Sequence, residues 1–522
     1  MKRFLIIVGA VTWIASSAYA QTLSAEFSRN LHLKSEQTKA DPQLIKWLKT
    51  NVSKETGLPL SFQVPVESKK GVYSNMGEQF SVAGIIERVI VEEGLVIYDG
   101  AVRQIVLSML GGKENMADAD RLTQVFWQGG VGDLQNVRAG FSGNGFIYNP
   151  KNPKAVSSDL ADQGRRGFLF RIINANGRYN TQDPLDGKKE FQGFPTWPTV
   201  HWEDWKPIAG ENAWVTMAAL QLYHKKYFDP QIQRYRHDEN AVELKLAQEL
   251  ARAAIMLQAD NGGIRMAPMG TYMAGREDGG GWYDLISTEN NLSWYAAFRM
   301  LYQITRDDIY KTVMNGLESY FKIAWNPREG YFYQGMAYRD GAWQPETKHF
   351  ATDVQTWGIL VLGPESLDTW FGEGAAYQMW QAAKMRSGSY TKSGALNGVG
   401  FTTEHDRVSV EWTAGAIFAA RLLARHYETI SPLWAQEALV DASSMRQGIE
   451  VLRADFPEGQ AAYAYSSKRA WIPFGWYSHD PDVLSLASTA WVVLLDADFN
   501  PFHLTQVKSV VSLGKIAQAH KN

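Results

Sequence analysis

There is no cysteine anywhere in this chain of 522 residues. That excludes disulfides, thiolate metal sites, cysteine nucleophiles and lipid attachment at an N-terminal cysteine. An excess of one charge is missing too. The 52 basic and 55 acidic side chains leave a net charge of −3, and no Lys/Arg tract stands out, so no nucleic acid is expected as a partner. Beyond the N-terminal segment no apolar run reaches the ~18 residues of a membrane span. The phosphate-cradling glycine loop, the dinucleotide fingerprint and the Gly-x-Ser-x-Gly elbow are absent. A His-x-x-x-His pair on a helix and the twelve-residue calcium loop are absent as well, so no metal and no cofactor is expected.

The N-terminus carries an export pattern. Lys2 and Arg3 precede an apolar stretch, 4–14, and Ala18-Tyr19-Ala20 forms a small-x-small cleavage site before Gln21. Residues 1–20 therefore read as a signal peptide and 21–522 as one domain, periplasmic or secreted and not membrane-spanning. A chain of this size buries enough core to do without disulfides. Aromatic residues are plentiful, with 19 Trp, 23 Tyr and 23 Phe. Trp and Tyr offer flat apolar faces with a polar handle, which suits the C–H face of a sugar ring; the alternative use is core filling.

The apolar patterning is helical throughout. Segments 99–110, 211–227, 289–304, 353–362, 411–427 and 482–495 are apolar nearly all round and must be buried. Between them lie amphipathic segments at 117–127, 241–259, 309–325, 365–385 and 433–452. A further amphipathic helix begins after Asp41, with Pro42 at its first position. Six inner and six outer helices in alternation predict an all-α, (α/α)6 toroid. Inner-to-outer connections such as 305–307 are short. Outer-to-inner connections such as 129–210 and 261–288 are long and rich in Gly, Trp and Tyr, which gathers long loops on one face.

On that face each inner helix opens on an acid: Asp99 after Tyr98, Glu211 before Trp214, Glu289, Asp353 before Gln355, Glu411 before Trp412, and Asp482. An acid at a helix start can simply oppose the macrodipole, at ~0.3–1 kcal/mol. Six of them beside aromatic loops also predict a ring of carboxylates at the barrel mouth. Cleaving a glycosidic bond needs two: an acid to protonate the leaving oxygen and a carboxylate to activate water or attack the anomeric carbon. The loops add candidate substrate contacts at Arg178, Asp183, Trp202, Asp278, Trp282, Trp476 and Tyr477.

The order Thr56-Gly57-Leu58-Pro59, Ile97-Tyr98-Asp99, Glu211-Asn212-Ala213-Trp214, Ser287-Thr288-Glu289-Asn290, Asp353-Val354-Gln355-Thr356-Trp357, Glu411-Trp412 and Ala487-Ser488-Thr489-Ala490-Trp491 resembles the six-hairpin glycosidases. The resemblance covers roughly 56–502. It implies an (α/α)6 barrel and a glucan-active glycoside hydrolase, with acid and base drawn from opposite sides of the mouth in an inverting reaction. Opposite helices pair Glu211 with Glu411, Asp99 with Asp353 and Glu289 with Asp482; Glu211 with Glu411 is preferred. The expected partner is a glycan substrate, together with other polysaccharide-processing proteins. Two readings stay open beside hydrolysis. One is a polysaccharide lyase using His201, His405 or His479 with Arg178 or Arg276. The other is a non-catalytic glycan-binding or export-associated protein.

Overall fold

The computed structural model describes residues 40–64, 91–129, 167–176, 202–204, 207–268, 281–474 and 476–504. The signal segment lies outside them, as do Arg178, Asp183 and Asp278. Among the described residues thirteen α-helices dominate: α1 (Pro42–Thr50), α2 (Ile97–Leu110), α3 (Lys113–Gly129), α4 (Ala209–Tyr227), α5 (Val242–Met256), α6 (Thr288–Thr305), α7 (Asp308–Ala324), α8 (Thr352–Leu362), α9 (Pro364–Phe371), α10 (Ala375–Ser387), α11 (Val410–Tyr427), α12 (Pro432–Ile449) and α13 (Leu486–Asp496).

Helices α2, α4, α6, α8, α11 and α13 are the apolar ones. Each packs against the next, and α13 packs back on α2, closing an inner ring. Every residue of α8 is buried. Outside the ring α3, α5, α7, α10, α12 and α1 each pack chiefly on one inner helix, which gives the six-plus-six toroid. Among the described helices none is long and apolar enough to cross a membrane.

Two expectations are corrected in detail. The expected outer helix 365–385 is broken in two, because Gly372 (φ 108°) and Gly374 (φ 82°) take left-handed conformations that end α9 and start α10. The connections on the mouth face carry short antiparallel strands that the helical reading did not foresee. Gly94–Val96 pairs with Ile172–Asn174, and Leu285–Ser287 pairs with Gly335–Arg339. Phe62–Gln63 pairs with Leu484–Ser485, tying the N-terminal part of the barrel to its last inner helix.

A repeated lock joins these connections to the ring. The fourth residue of α4, α6 and α8 is Asn212, Asn291 and Gln355. Each amide accepts from one backbone N–H of a preceding connection and donates to the same residue's C=O: Leu169 (2.9 and 3.0 Å), Ile264 (2.6 and 3.0 Å) and Phe332 (2.9 and 3.0 Å). Thr413, fourth in α11, does the same for Val399 with one hydroxyl (3.0 and 3.3 Å). Backbone groups that would otherwise be buried unpaired are satisfied this way. Gln355, expected to bind substrate, is fully engaged in this lock.

The opposite end of the barrel is closed by the chain after α13. Gln221 donates to the carbonyls of Pro501 (3.2 Å) and His503 (2.9 Å), and Arg299 donates to those of Val361 (2.7 Å) and Phe502 (3.1 Å). The Phe502 ring reaches into the ring of helices and packs on Trp214 (5.1 Å) and Trp357 (5.5 Å). The axis is therefore a well that is blind at this end.

Candidate active site

The acids do not cap their helices. Five inner helices begin one or two residues earlier than expected, and serine hydroxyls cap three of the six. Ser287 accepts from Asn290 N–H (3.3 Å), Ser409 from Trp412 N–H (3.3 Å) and Ser485 from Ser488 N–H (3.1 Å). Glu289, Asp353 and Glu411 are each the second residue of α6, α8 and α11; Asp99 and Glu211 are each the third of α2 and α4. Asp482 is a correction. It is exposed on a turn ahead of α13, which starts only at Leu486, so the sixth inner helix brings Ala487 where its neighbours bring acids. Among the described residues the inner-helix starts carry five carboxylates.

Helical spacing sets what lies beneath them. A residue four positions on sits on the same face. Below Gly210, Glu289, Asp353, Glu411 and Ala487 come Trp214, Ser293, Trp357, Gly415 and Trp491. Trp357 stacks on Trp491 (5.7 Å between centroids, 16° between planes), and Trp214 meets both rings edge-on (5.3 and 5.8 Å). This is a tryptophan floor under an acidic rim. Gly415 makes the room: a Cβ there would stand 3.1 Å from Trp357 Nε1. The buried indole N–H groups of Trp214 and Trp412 face Glu289 and Asp353, and that of Trp357 completes no hydrogen bond.

Each acid has its own surroundings. Ser293 donates to Glu289 Oε1 (2.9 Å). Asn290, with its amide turned to suit its neighbours, donates to Glu289 Oε2 (2.5 Å) and accepts from Gly210 N–H (3.3 Å). Burial pushes Glu289 up to about 8, helped by the charge of Asp353 and resisted by Ser293. Burial also raises Asp353 to about 6, against the N–H of Val354 (2.9 Å) and the facing Trp412 indole, whose N–H nonetheless falls short of a hydrogen bond. Burial lifts Asp99 to about 7; the Ser61 hydroxyl and Arg171 draw it down, and Glu211 pushes it up. Glu211 pairs with Arg171, Nε to Oε1, at 2.9 Å. Glu411 is driven well above the usual glutamate range, chiefly by burial and then by Asp99, Asp353 and Glu289. Tyr98 donates to its Oε1, and Trp491 Nε1 donates to the Tyr98 hydroxyl (2.8 Å). Among the described residues no group of three or more His, Asp or Glu side chains converges to hold a metal ion.

The remaining expected contacts divide. Tyr98, Trp214 and Trp412 are in the well. Trp476 is half-buried and donates to the Tyr465 hydroxyl (3.0 Å), beside Glu411. Tyr477 alternates to the other face of the same strand, with Trp471 (5.0 Å) and Arg469, away from Trp476. Trp282 is buried in a small apolar cluster with Ile208 and Ala267 instead of offering an open face. Trp202 opens the strand Trp202–Asp204, and its side chain lies outside the described residues. Sequence reasoning missed Arg171, Ser293, Tyr465 and the floor residues Trp357 and Trp491. The spacing of four from Asp353 to Trp357 is the signal that finds the floor. Arg171 has no local signal, being brought in by the pairing of Ile172–Asn174 with Gly94–Val96 and by Ile97 N–H bonding to its own carbonyl (3.1 Å).

No protein-family model and no curated protein matches the chain. Among solved structures, a sugar epimerase from a ruminal bacterium superposes with a TM-score of 0.51 at 12% identity, covering 88% of this chain and 96% of its own. The likeness is one of fold: six inner and six outer helices form an (α/α)6 barrel. More distant matches are a cellobiose 2-epimerase from Bacillus thermoamylovorans B4167 (TM-score 0.48, 10% identity, 77% of this chain and 87% of its own). Another is a family 76 glycoside hydrolase from a bovine Bacteroides thetaiotaomicron strain (0.35, 10%, 56% and 55%).

Proposed function

We propose that this chain is an exported, carbohydrate-active enzyme, and specifically an inverting glycoside hydrolase acting on a neutral, β-glucan-like polysaccharide or oligosaccharide. The observation that carries the reading is the divided rim. Burial pushes Glu411 and Glu289 above the usual glutamate range, while Glu211 on the far side is ion-paired with Arg171. Glycosidic cleavage uses such a division. In this assignment Glu411 protonates the leaving oxygen and Glu211 activates water. Helices α11 and α4 are opposite in the ring, which favours a water between substrate and base and hence inversion. The tryptophans beneath the rim are buried against one another, and the half-buried Tyr98 and Trp476 are the aromatic side chains near Glu411 with surface to offer a sugar ring. Export is supported by the pattern over residues 1–20.

The lyase reading is weaker. Among the described residues a uronate chain would meet five carboxylates and one guanidinium, Arg171, already paired with Glu211; Arg178, Arg276 and His201 lie outside them. Of the candidate bases, His405 bonds the Gly388 carbonyl (2.8 Å), and His479 is buried against Phe62 (4.6 Å). The test is purified protein on a polysaccharide panel, following reducing ends and the anomer first released, beside Glu411→Gln and Glu211→Gln. Loss of turnover in both variants supports the reading. Binding without turnover would instead favour the non-catalytic alternative. A sugar whose composition changes with no new reducing ends would favour epimerisation, and either result overturns hydrolysis.

A further inference from the structure

We propose that Trp491 and Tyr98 form a fixed donor relay that holds Glu411 in one orientation and leaves Oε2 as the oxygen that exchanges a proton with substrate. The proposal rests on the glycosidic reading of the mouth, and Tyr98 acts in it as a positioning residue.

An indole N–H can only donate. With Trp491 Nε1 at 2.8 Å, the Tyr98 oxygen is already an acceptor, so its single proton is free for Glu411 Oε1. Oε1 is then an acceptor whether Glu411 is ionised or protonated; a proton on Oε1 would face the phenolic proton. The titrating proton therefore sits on Oε2. Three adjacent inner helices build the relay: Tyr98 is second in α2, Trp491 sixth in α13 and Glu411 second in α11, with α13 between the other two. Trp214 meets the Tyr98 ring edge-on at 5.1 Å and restrains it. Burial drives Glu411 up, and the Tyr98 hydrogen bond is the contact that lowers it again.

Tyr98→Phe and Trp491→Phe test the relay. The readout is an infrared pH titration of the free enzyme, with the Glu411 carboxyl band identified as the one that Glu411→Gln removes. A pH profile of kcat/KM is read beside it. Losing a hydrogen bond to the charged form raises proton affinity, so Tyr98→Phe is expected to move the Glu411 midpoint up by roughly one to two pH units. The basic limb of the profile should follow it. Trp491→Phe is expected to give a smaller shift in the same direction. Unmoved midpoints in both folded variants overturn the relay. A moved midpoint in an enzyme that cleaves no glycan keeps the relay and removes the glycosidic reading. Cleavage with unmoved midpoints does the reverse. Each variant retains an aromatic ring, and should one fail to fold, the other decides.

Discussion

Arg171 Nε lies 2.9 Å from Glu211 Oε1, and Glu211 stands across the barrel mouth from Glu411. One guanidinium thus serves two acids, since it also draws Asp99 down from the level to which burial has lifted it. The two halves of the rim differ through this residue: Asp99 and Glu211 share a cation, while Glu289, Asp353 and Glu411 have none among their main charge neighbours.

Arg171→Met is expected to raise Asp99 above about 7, because the charge that favours its ionised form is gone. With Glu211 no longer held in place, kcat/KM at neutral pH should fall on the order of 10²-fold, as for a displaced catalytic group. An unchanged rate would show that the pair has no part in turnover.

Glu289 is expected to make the fold less stable as pH rises. Its pKa in the fold, about 8, stands above its ordinary value of 4.5. The native state therefore binds more protons than the unfolded chain between these values. Stability from this group is complete below about 4.5 and is lost progressively up to about 8. Glu289→Gln keeps the shape and removes the titration. Urea unfolding at pH ~8.5 should find the variant more stable than the parent, on the order of 2–4 kcal/mol, with the gap closing at low pH. A gap that does not change with pH would contradict this.

Gly210→Ala should damage turnover more than folding. A Cβ at Gly210 would stand 2.2 Å from the Asn290 side-chain amide, so the Asn290 side chain must move, and it is one of two side chains holding Glu289. We expect kcat to fall roughly 10-fold or more, since a misplaced group loses transition-state contact before it loses substrate binding. Steady-state kinetics beside a thermal melt separates the two effects. An equal loss in stability and rate would point to a general packing fault.

The helix count and five of the rim acids were legible because a helix that is apolar all round has only one place to go, and its acidic start then faces the mouth. Asp482 misled for a physical reason. An acid ahead of Val483 and Leu484 looks like a helix start, but Leu484 and Ser485 are taken by the strand partner Phe62–Gln63, far away in sequence, and the helix waits until Leu486. Tertiary pairing overrode the local signal there. Gln355 and Arg171 fail the same way in opposite directions. A polar side chain in the mouth region turned out to serve the backbone of Phe332, and an arginine with no local pattern was carried into the site by a strand.

Asn291→Ala tests the lock that holds the mouth connections to the ring. The side chain makes three backbone hydrogen bonds: from Ile264 N–H (2.6 Å), to Ile264 C=O (3.0 Å) and to Ser287 C=O (2.7 Å). Its removal leaves the Ile264 N–H and C=O buried without this partner, so the cost is expected at roughly 2–4 kcal/mol in urea unfolding. Asn212→Ala removes the equivalent bonds to Leu169 and Ile208 and should cost about the same, within ~1 kcal/mol. Thr413→Val loses a single hydroxyl and should cost less, about 1–2 kcal/mol. A lock that works by satisfying backbone groups predicts this order. If Thr413→Val proved as damaging as Asn291→Ala, the connections would be held by side-chain packing instead, and the repeat at the fourth helical position would carry no energetic meaning.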